Sequence, residues 1–295
     1  MILTELLNKL PSITILFVFF AGTIIGSFLN VVVYRLPLML QESWSEYAAD
    51  ALRNSGFMHY AGIISRDNNI NKNLTLAYPR SHCPTCKRTL KSYHLLPVVS
   101  FIALKGKCQF CESPINFRYP AIEFICGVLT SYVIYRYQFT WMTVGCCFFI
   151  WILICLSFID IEKKILPDFL TILLLWSGII FNLNAMFVSL EESVIGAIFG
   201  YLFLWAIATI FKLVTRKDGM GQGDVKLFAA LGAWVGWSSL PILLVLASCA
   251  GIFGGCIQIL RKSTKTRSIA FGPYLASAGF IALLWGNEIK NLILR

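Results

Sequence analysis

The chain has 295 residues, of which 57% are hydrophobic and 14% are charged, and its formal net charge is +10. So high an apolar fraction excludes an ordinary soluble domain and predicts a protein that crosses a membrane several times. The positive charge does not predict nucleic-acid binding, because it is concentrated in the segments that join the apolar stretches.

Eight apolar stretches in the sequence are predicted to be membrane helices, so the fold class is an all-α polytopic membrane protein with about eight transmembrane helices. They lie near residues 13–34, 118–137, 141–159, 168–188, 192–212, 224–236, 240–260 and 270–286. The sixth stretch is shorter than the roughly 20 residues that a full span needs, so we predict a partial or interrupted crossing there.

The positions of Lys and Arg predict the orientation of these helices. Of the 25 basic residues, 21 lie in segments on one side of the predicted membrane. The positive-inside rule places that side in the cytoplasm, with the N-terminus outside and the long first loop inside. The first apolar stretch follows Glu5 and Lys9 and is expected to be retained rather than cleaved as a signal peptide. The lipid bilayer is therefore a predicted partner, and attraction of an anionic lipid or another partner is the alternative reason for the basic excess.

Several polar or small residues mark the first span and its exit. Gly26 is small enough for close helix packing in lipid, and Asn30 is expected to find a hydrogen-bond partner on another helix. Arg35 and Pro37 are interpreted as the cytoplasmic end of the span. The polar segment 41–54 is then interpreted as a separate surface helix.

Four cysteines in the first loop form two C-x2-C pairs with 21 residues between them. They are Cys83, Cys86, Cys108 and Cys111. Four thiolates suit the tetrahedral coordination of Zn²⁺, and the predicted cytoplasmic location disfavours disulfides. Because four protein ligands leave no open position, the predicted zinc-type module is structural, and redox or unmetallated cysteines are the alternative. His82 and His94 are nearby spare ligands or, alternatively, surface histidines.

Two aspartates with 63 residues between them lie at the ends of apolar runs on the predicted cytoplasmic face: Asp160 ends one and Asp224 begins another. Two carboxylates in one site of low dielectric share a proton, which is the arrangement that an aspartic peptidase needs. Helix dipoles favour Asp224 as the base and Asp160 as the acid. The alternative is that each is an ordinary carboxylate at a membrane boundary.

A glycine-rich loop leads into the second aspartate. Gly221 and Gly223 permit unusual backbone angles and the close approach of another chain, so they are predicted to support the site together with Lys226. Lys226 is also interpreted as a solvated or surrounding group. Asp168 is interpreted as a charge at a helix N-terminus.

These residues resemble known motifs. Gly221-Gln222-Gly223-Asp224 and the pattern Asp160…Leu166-Pro167-Asp168 resemble the GxGD-type intramembrane aspartic peptidases. Further motifs, in the expected order, narrow the resemblance to the bacterial type IV prepilin peptidases over about residues 20–280. These are the cysteine module, Gly26-Ser27-Phe28-Leu29-Asn30-Val31, Pro79-Arg80-Ser81-His82-Cys83-Pro84, Arg118-Tyr119-Pro120 and Phe271-Gly272-Pro273-Tyr274.

The resemblance implies two activities at the cytoplasmic face of the bacterial inner membrane. The first is cleavage, after a glycine, of the basic leader of prepilins or pseudopilins, the substrates of type IV pilus or type II secretion assembly; it is carried by Asp160 and Asp224. The second is N-methylation of the new N-terminal residue with S-adenosylmethionine, for which the family pattern points to Gly106, Lys107 and Glu123. From the residues alone, Gly106 and Lys107 could form only a turn before a zinc knuckle, and Glu123 could pair with a nearby basic side chain.

The domain organisation follows from these assignments. Residues 1–37 are the first transmembrane helix, 38–117 the cytoplasmic loop with the cysteine module, and 118–295 the transmembrane aspartic peptidase domain, while the methyltransferase-associated region extends to about residue 130. Two alternatives stay open: a prepilin peptidase without methyltransferase activity, and a non-enzymatic membrane scaffold or transporter with a zinc domain.

Overall fold

A computed structural model describes residues 11–58, 60, 63, 74–91, 97–217, 219–260 and 270–293. Within these residues the regular structure is helical, apart from two isolated β-bridges. The chain divides into two compact units, Met1–Gln138 and Phe139–Arg295. The predicted domains are defined by the activity assigned to each segment. The division into two compact units does not test those activities, so the predicted domains stay a prediction.

The first unit contains three described helices: α1 (Pro11–Asn54), α2 (Val99–Ala103) and α3 (Arg118–Tyr137). Helix α1 is continuous for 44 residues and contains Pro37. The interpretation of residues 41–54 as a separate surface helix was therefore wrong, whereas the end of the span near Pro37 stays a prediction. An internal proline removes one backbone hydrogen bond, but strong helix formers such as the leucines on either side let the helix continue past it.

Helices α1 and α3 pack closely because glycines lie at their crossing. A Cβ added at Gly26 would lie 2.7 Å from the Cα of Glu123, and one added at Gly22 would lie 2.9 Å from the Cα of Gly127. The Asn30 amide donates to the carbonyl of Tyr119 over 3.0 Å. Both predictions for this span, close packing at Gly26 and an interhelical bond from Asn30, are confirmed.

The second unit consists of six helices in sequence, joined by short connections and by two 3-10 turns, Asn182–Asn184 and Trp237–Ser239. The helices are α4 (Trp141–Lys163), α5 (Asp168–Phe181), α6 (Leu190–Thr215), α7 (Gln222–Val235), α8 (Leu240–Leu260) and α9 (Gly272–Ile293). Together with α1 and α3 they correspond to the eight predicted apolar stretches.

Four helical segments in the described part of the chain are long and apolar enough to cross a membrane. They are Ser12–Asn54, Trp141–Lys163, Leu190–Thr215 and Trp237–Ile257, and Asp168–Asn184 and Gly272–Gly286 are shorter apolar helices. The all-α membrane fold is thus confirmed, and the number of eight crossings stays a prediction. The basic loop 261–267, which contributed to the predicted orientation, lies outside the described residues.

Helix α7 is the core of the second unit. All of its residues from Leu227 to Val235 are buried. At 1.5 Å per residue its 14 residues extend about 21 Å, less than the roughly 30 Å of a bilayer core, in line with the predicted partial crossing. Helix α6 lies directly against it, since a Cβ on Gly196 would collide with the carbonyl of Gly232, and one on Gly200 would lie 3.0 Å from the carbonyl of Phe228.

The C-terminal end of α7 is fixed by polar partners in an otherwise apolar core. The carbonyl of Ala233 accepts hydrogen bonds from Asn182 Nδ2 (3.0 Å) and Ser193 Oγ (2.6 Å). The indole N–H of Trp234 donates to the carbonyl of Leu174 over 2.8 Å. Three aromatic rings surround this indole, those of Phe149, Phe181 and Phe187. Because the far end of α7 is held in this way, the position of its first turn is also defined.

Candidate active site and metal centre

Asp160 lies in the last turn of α4, where the chain turns back toward α5. Lys164 caps the helix in the left-handed conformation (φ 58°), and its N–H donates to the backbone carbonyl of Asp160. The Asp160 residue is only 6% exposed. Its Oδ2 accepts a hydrogen bond of 2.9 Å from the backbone N–H of Gly272, at the start of α9. A carboxylate is therefore buried in an apolar unit with a backbone donor aimed at it.

Asp224 lies in the first turn of α7. Gly221 is the N-cap residue, with extended backbone angles, and its carbonyl accepts the N–H of Asp224 over 3.1 Å. The Asp224 residue is half-buried. The Asp160 carboxylate lies close enough to act electrostatically on that of Asp224. The structure thus brings together the two aspartates that the sequence singled out.

The glycines of the loop act through close approach and not through unusual backbone angles. The described glycines with positive φ are Gly56, Gly106 and Gly236, so the glycines at 219–223 do not use the left-handed angles that glycine permits. At Gly223 a Cβ would lie 2.7 Å from the Cβ of Leu166. Gly221 is exposed, and a Cβ there would meet the Asp224 carboxylate at an ordinary 3.4 Å.

Leu166 joins the two aspartate-bearing segments. Its side chain lies against Gly223, one residue before Asp224, and against Gly272, whose N–H contacts Asp160. Sequence reasoning quoted Leu166 and Gly272 within motifs but gave neither a role. Their roles depend on contacts between segments far apart in the chain.

Lys226 and Asp168 form an ion pair of 2.7 Å, with side-chain exposures of 36% and 61%. Asp168 is in the first turn of α5, which confirms its interpretation as a helix N-terminal charge. The pair links the first turns of α5 and α7. An ion pair this exposed contributes about 1 kcal/mol at most.

The four cysteines of the first unit form one cluster, and their sulfur atoms lie within 4.8 Å of one another. The Cys83 and Cys111 sulfurs are 3.8 Å apart. A tetrahedral zinc ion with Zn–S bonds of about 2.3 Å requires sulfurs about 3.8 Å apart, so the donor set fits zinc. A hydrogen bond from the Cys86 backbone lowers the pKa of Cys83 to about 6, whereas desolvation and the neighbouring thiols of Cys83 and Cys111 raise the pKa of Cys86 to about 11. The Cys83 sulfur is therefore the one more easily ionised to the thiolate form that a metal binds.

The two C-x2-C pairs adopt the same local structure. In the first, the N–H of Lys87 donates to the carbonyl of Cys83, and in the second the N–H of Glu112 donates to the carbonyl of Cys108. Lys87 (φ 59°) and Glu112 (φ 55°) are both left-handed. An isolated bridge closes each turn, His82 with Thr89 and Lys107 with Pro114. Each pair is a preformed knuckle that presents two sulfurs.

One of the two spare ligand candidates, His82, can be compared with this cluster. His82 is exposed, and its Nδ1 lies 3.1 Å from the carbonyl oxygen of Arg80. This geometry agrees with a surface histidine. His94 lies outside the described residues.

The methyltransferase candidates lie in two places within the first unit. Gly106 (φ 70°) and Lys107 lead into the second knuckle, where the Gly106 carbonyl accepts the N–H of Ile115. Glu123 is on α3, and its Oε2 accepts the backbone N–H of Val98 over 2.8 Å. The turn interpretation of Gly106 and Lys107 therefore has structural support, while a catalytic role stays a prediction.

Arg35 is a residue whose importance sequence reasoning missed. It was interpreted as marking the end of a span, but it is 7% exposed. Its guanidinium donates to the backbone carbonyls of Thr75, Leu76 and Pro79. A buried cation so placed ties α1 to the segment that leads into the first knuckle.

Two adjacent carboxylates at helix ends, within an apolar helical unit, are the kind of site that intramembrane aspartic peptidases use. Residues 20–137 match the family model described as bacterial peptidase A24 N-terminal domain, and residues 147–256 match the one described as type IV leader peptidase family. The chain belongs to the type IV leader peptidase family.

Relatives that bear the name prepilin leader peptidase/N-methyltransferase match nearly the whole chain. The Aeromonas hydrophila protein is 44% identical over 98% of this chain and 97% of its own length. The Pseudomonas aeruginosa protein is 42% identical over 99% and 98%, and the Neisseria gonorrhoeae protein is 38% identical over 92% and 91%, respectively. No solved structure matches the chain.

Proposed function

We propose that this chain cleaves the leader of type IV prepilins or pseudopilins after a glycine and N-methylates the new N-terminal residue. Membership of the type IV leader peptidase family and the names of its relatives support both activities. The observation that carries the peptidase assignment is the pairing of Asp160 and Asp224 within one apolar unit.

In the proposed mechanism Asp224 is the general base and Asp160 the general acid. Asp224 lies at the N-terminal end of α7, where the helix dipole favours an anion, and Asp160 lies in the last turn of α4, where the dipole disfavours one. Asp224 takes a proton from a water molecule while the water oxygen attacks the scissile carbonyl carbon. Asp160 protonates the carbonyl oxygen in the same step. When the tetrahedral intermediate collapses, the C–N bond breaks and Asp224 passes the proton that it took from water to the leaving nitrogen. Asp160 takes a proton back from a hydroxyl of the intermediate, so both carboxyl groups return to their starting states. Because Oδ2 of Asp160 accepts the Gly272 N–H, we assign proton transfer to Oδ1.

The substrate must present an extended backbone, because a helix hides its carbonyls in internal hydrogen bonds. Gly221 is exposed beside Asp224, and a Cβ there would meet the Asp224 carboxylate at 3.4 Å and the Gly223 nitrogen at 4.0 Å, without a clash. We assign the approach of the extended substrate segment to this side of the pair. Gly221→Leu would fill that space, so we expect it to raise KM; an unchanged KM in a folded variant would refute this assignment.

For methyl transfer we propose residues of the first unit. S-adenosylmethionine, when bound, supplies an electrophilic methyl group on a sulfonium, and the acceptor is the new α-amino group. Both ligands carry positive charge. The half-buried carboxylate of Glu123 and the Oδ1 of Asn30, which is buried without a hydrogen-bond partner among the described residues, are acceptors suited to such groups. We propose that Glu123 holds a cationic group of one of these ligands. Gly106 and Lys107 are further candidates for a role in methyl transfer.

We propose that the cysteine cluster binds a structural Zn²⁺. The support is the sulfur spacing and the two preformed knuckles. Four thiolates complete the coordination of the ion, so the site stabilises the loop and takes no part in either reaction.

We further propose that the protein lies in the bacterial inner membrane, with its N-terminus in the periplasm and both activities at the cytoplasmic face. Support comes from the four membrane-capable helices and from the concentration of Lys and Arg on one side. The proposed partners are the lipid bilayer and prepilins or pseudopilins of type IV pilus or type II secretion systems.

The test is mass spectrometry of a prepilin incubated with membranes that contain the wild-type chain, Asp160→Asn or Asp224→Asn. We expect cleavage plus one added methyl group with the wild type and neither product with the two variants. Asp168→Asn is the matched control, because its carboxylate is exposed and paired with Lys226, and we expect it to cleave. Cleavage by either catalytic variant would refute the mechanism.

The same assay distinguishes a second candidate, a peptidase without methyltransferase activity. This candidate is favoured by the structural roles of Gly106 and Lys107 at the second knuckle. Cleavage without an added methyl group, in the presence of S-adenosylmethionine, would establish it. With a precleaved substrate, Glu123→Gln is expected to lose methyl transfer and to keep peptidase activity on intact prepilin.

A further inference from the structure

We propose that Gly272 is a positioning residue for the catalytic pair, whose backbone N–H fixes the Asp160 carboxylate and whose missing side chain leaves room for it. This inference rests on the proposed peptidase function. It adds a third segment, the start of α9, to the two segments that carry the aspartates.

The backbone N–H of Gly272 is available as a donor because of its position in α9. Gly272 is the first residue of α9, and the first N–H groups of a helix have no partner within the helix. The N–H of Gly272 instead donates to Oδ2 of Asp160 over 2.9 Å, although 112 residues separate the two in the chain. One carboxylate oxygen of Asp160 is thereby held by a rigid backbone group rather than by a mobile side chain.

The space around Gly272 leaves no room for a side chain. A Cβ at Gly272 would lie 2.7 Å from Oδ2 of Asp160 and 3.1 Å from Cδ2 of Leu166. The φ angle of Gly272 is not in the left-handed region, so space and not conformation is what requires glycine here. A methyl group at this position must displace the carboxylate, the leucine or the helix start.

Leu166 links Gly272 to the segment that carries the other aspartate, Asp224. Leu166 occupies the space between Gly272 and Gly223. A Cβ added at Gly223 would lie 2.7 Å from the Cβ of Leu166. Gly223 directly precedes Asp224. Displacing Leu166 therefore changes the spacing of the two segments on which the two carboxylates depend.

The start of α9, which carries the Gly272 donor, is anchored on α8 by aromatic side chains. The ring of Tyr274 fills the space over Gly254 of α8, and the ring of Phe271 lies 3.5 Å from a Cβ placed on Gly251. The N–H of Tyr274 donates to the carbonyl of Phe271, which closes the first turn of α9. The donor is thus attached to α8 by two aromatic residues and cannot follow Asp160 if that side chain moves.

The consequence for the reaction is a selective effect on the chemical step. A misplacement of about 1 Å in a catalytic group costs on the order of 10²-fold in rate. We therefore expect Gly272→Ala to lower kcat by about 10²-fold and to leave KM for the prepilin within about threefold, since the substrate-facing side at Gly221 is unaltered. Gly286→Ala is the matched control on the same helix, because a Cβ there meets only Ser239 Oγ at 3.9 Å.

A double variant tests whether the loss comes from the crowded contact. Leu166→Ala removes the atoms at 3.1 Å from the new methyl group and gives it room to move away from Asp160. We expect Gly272→Ala with Leu166→Ala to lose less activity than the product of the two single losses. A merely structural role of Gly272 predicts independent losses, and multiplicative losses would overturn the proposal.

The assay also separates failure of this inference from failure of the proposed function. Asp160→Asn and Asp224→Asn are measured beside the glycine variants, with membrane abundance and elution in detergent as folding controls. Inactive aspartate variants beside a fully active Gly272→Ala would overturn the positioning role alone, and active aspartate variants would overturn the peptidase mechanism itself. If Gly272→Ala does not accumulate, Gly254→Ala displaces Tyr274 and must lower kcat by at least about tenfold, and unchanged kcat in that variant refutes the proposal.

Discussion

Trp234 is the residue on which the packing of the second unit most depends. Its side chain is completely buried, its indole N–H bonds to the carbonyl of Leu174, and three aromatic rings surround it. Replacing it with alanine leaves a large cavity and removes one of the hydrogen bonds that the Leu174 carbonyl accepts, while the bond of 2.9 Å from Ser177 Oγ stays. Removal of a buried tryptophan side chain costs about 3–5 kcal/mol of unfolding free energy.

That cost converts into a measurable shift in thermal stability. For a domain the size of the second unit, 1 kcal/mol lowers Tm by roughly 2–4 °C, so Trp234→Ala is expected to lower it by about 6–20 °C. The assay is thermal unfolding of the detergent-solubilised protein, with residual prepilin cleavage measured after each heating step. We expect cleavage to be lost together with the fold, because α7 begins with the turn that carries Asp224.

Trp176 provides the matched control, since it lies on α5 of the same unit and is 58% exposed. Trp176→Ala opens no internal cavity, and its Tm is expected to stay within about 2 °C of wild type. Trp234→Phe keeps most of the ring but removes the N–H donor, while Ser177 Oγ still donates to the Leu174 carbonyl. Its loss of unfolding free energy is therefore expected to lie between those of the two alanine variants, near the roughly 0.5–1.5 kcal/mol that one hydrogen bond contributes. Equal Tm values for the two alanine variants would refute the assignment of α7 as the core.

Three further predictions concern the first unit and the surface of the second. Cys83→Ser is expected to abolish the one zinc ion per chain that elemental analysis should find in wild type, and wild-type zinc content in this variant would contradict the proposed site. Arg35→Ala removes a buried cation together with the hydrogen bonds that it donates to three backbone carbonyls, so it is expected to lower the Tm of the first unit by several degrees, with partial recovery in Arg35→Lys; equal stability of both variants with wild type would argue against it. Lys226→Ala breaks only an exposed ion pair with Asp168, so kcat/KM for cleavage should fall less than about fivefold, and a loss as large as that of Asp224→Asn would give Lys226 a direct role.

The helices could be predicted from the sequence because long apolar runs and their polar boundaries are local properties. The eight apolar stretches correspond to helices, and the two C-x2-C pairs come together as their spacing indicated. The continuation of α1 through Pro37 could not be predicted, because a single proline stops a helix only when the flanking turns are weak.

The two aspartates of the candidate site could be picked out from the sequence, but the contacts around them could not. Asp160 and Asp224 stand out because a carboxylate at the edge of an apolar run is costly and therefore functional by default. The bond from Gly272 to Asp160 and the position of Leu166 between two glycines join segments that are distant in the chain. No local pattern encodes such contacts. Arg35 was missed for the same reason, because its carbonyl partners lie about 40 residues further along the chain.

The repeated structure of the two cysteine turns has a consequence for how the module takes up and releases metal. Each turn is closed by backbone bonds that involve no cysteine sulfur, so an ion has to join two turns rather than order four separate side chains. The entropy lost is that of closing one loop, which grows only with the logarithm of its length. Exchange should therefore proceed one half at a time, through an intermediate held by two sulfurs, and a chelator would remove the ion in two kinetic phases.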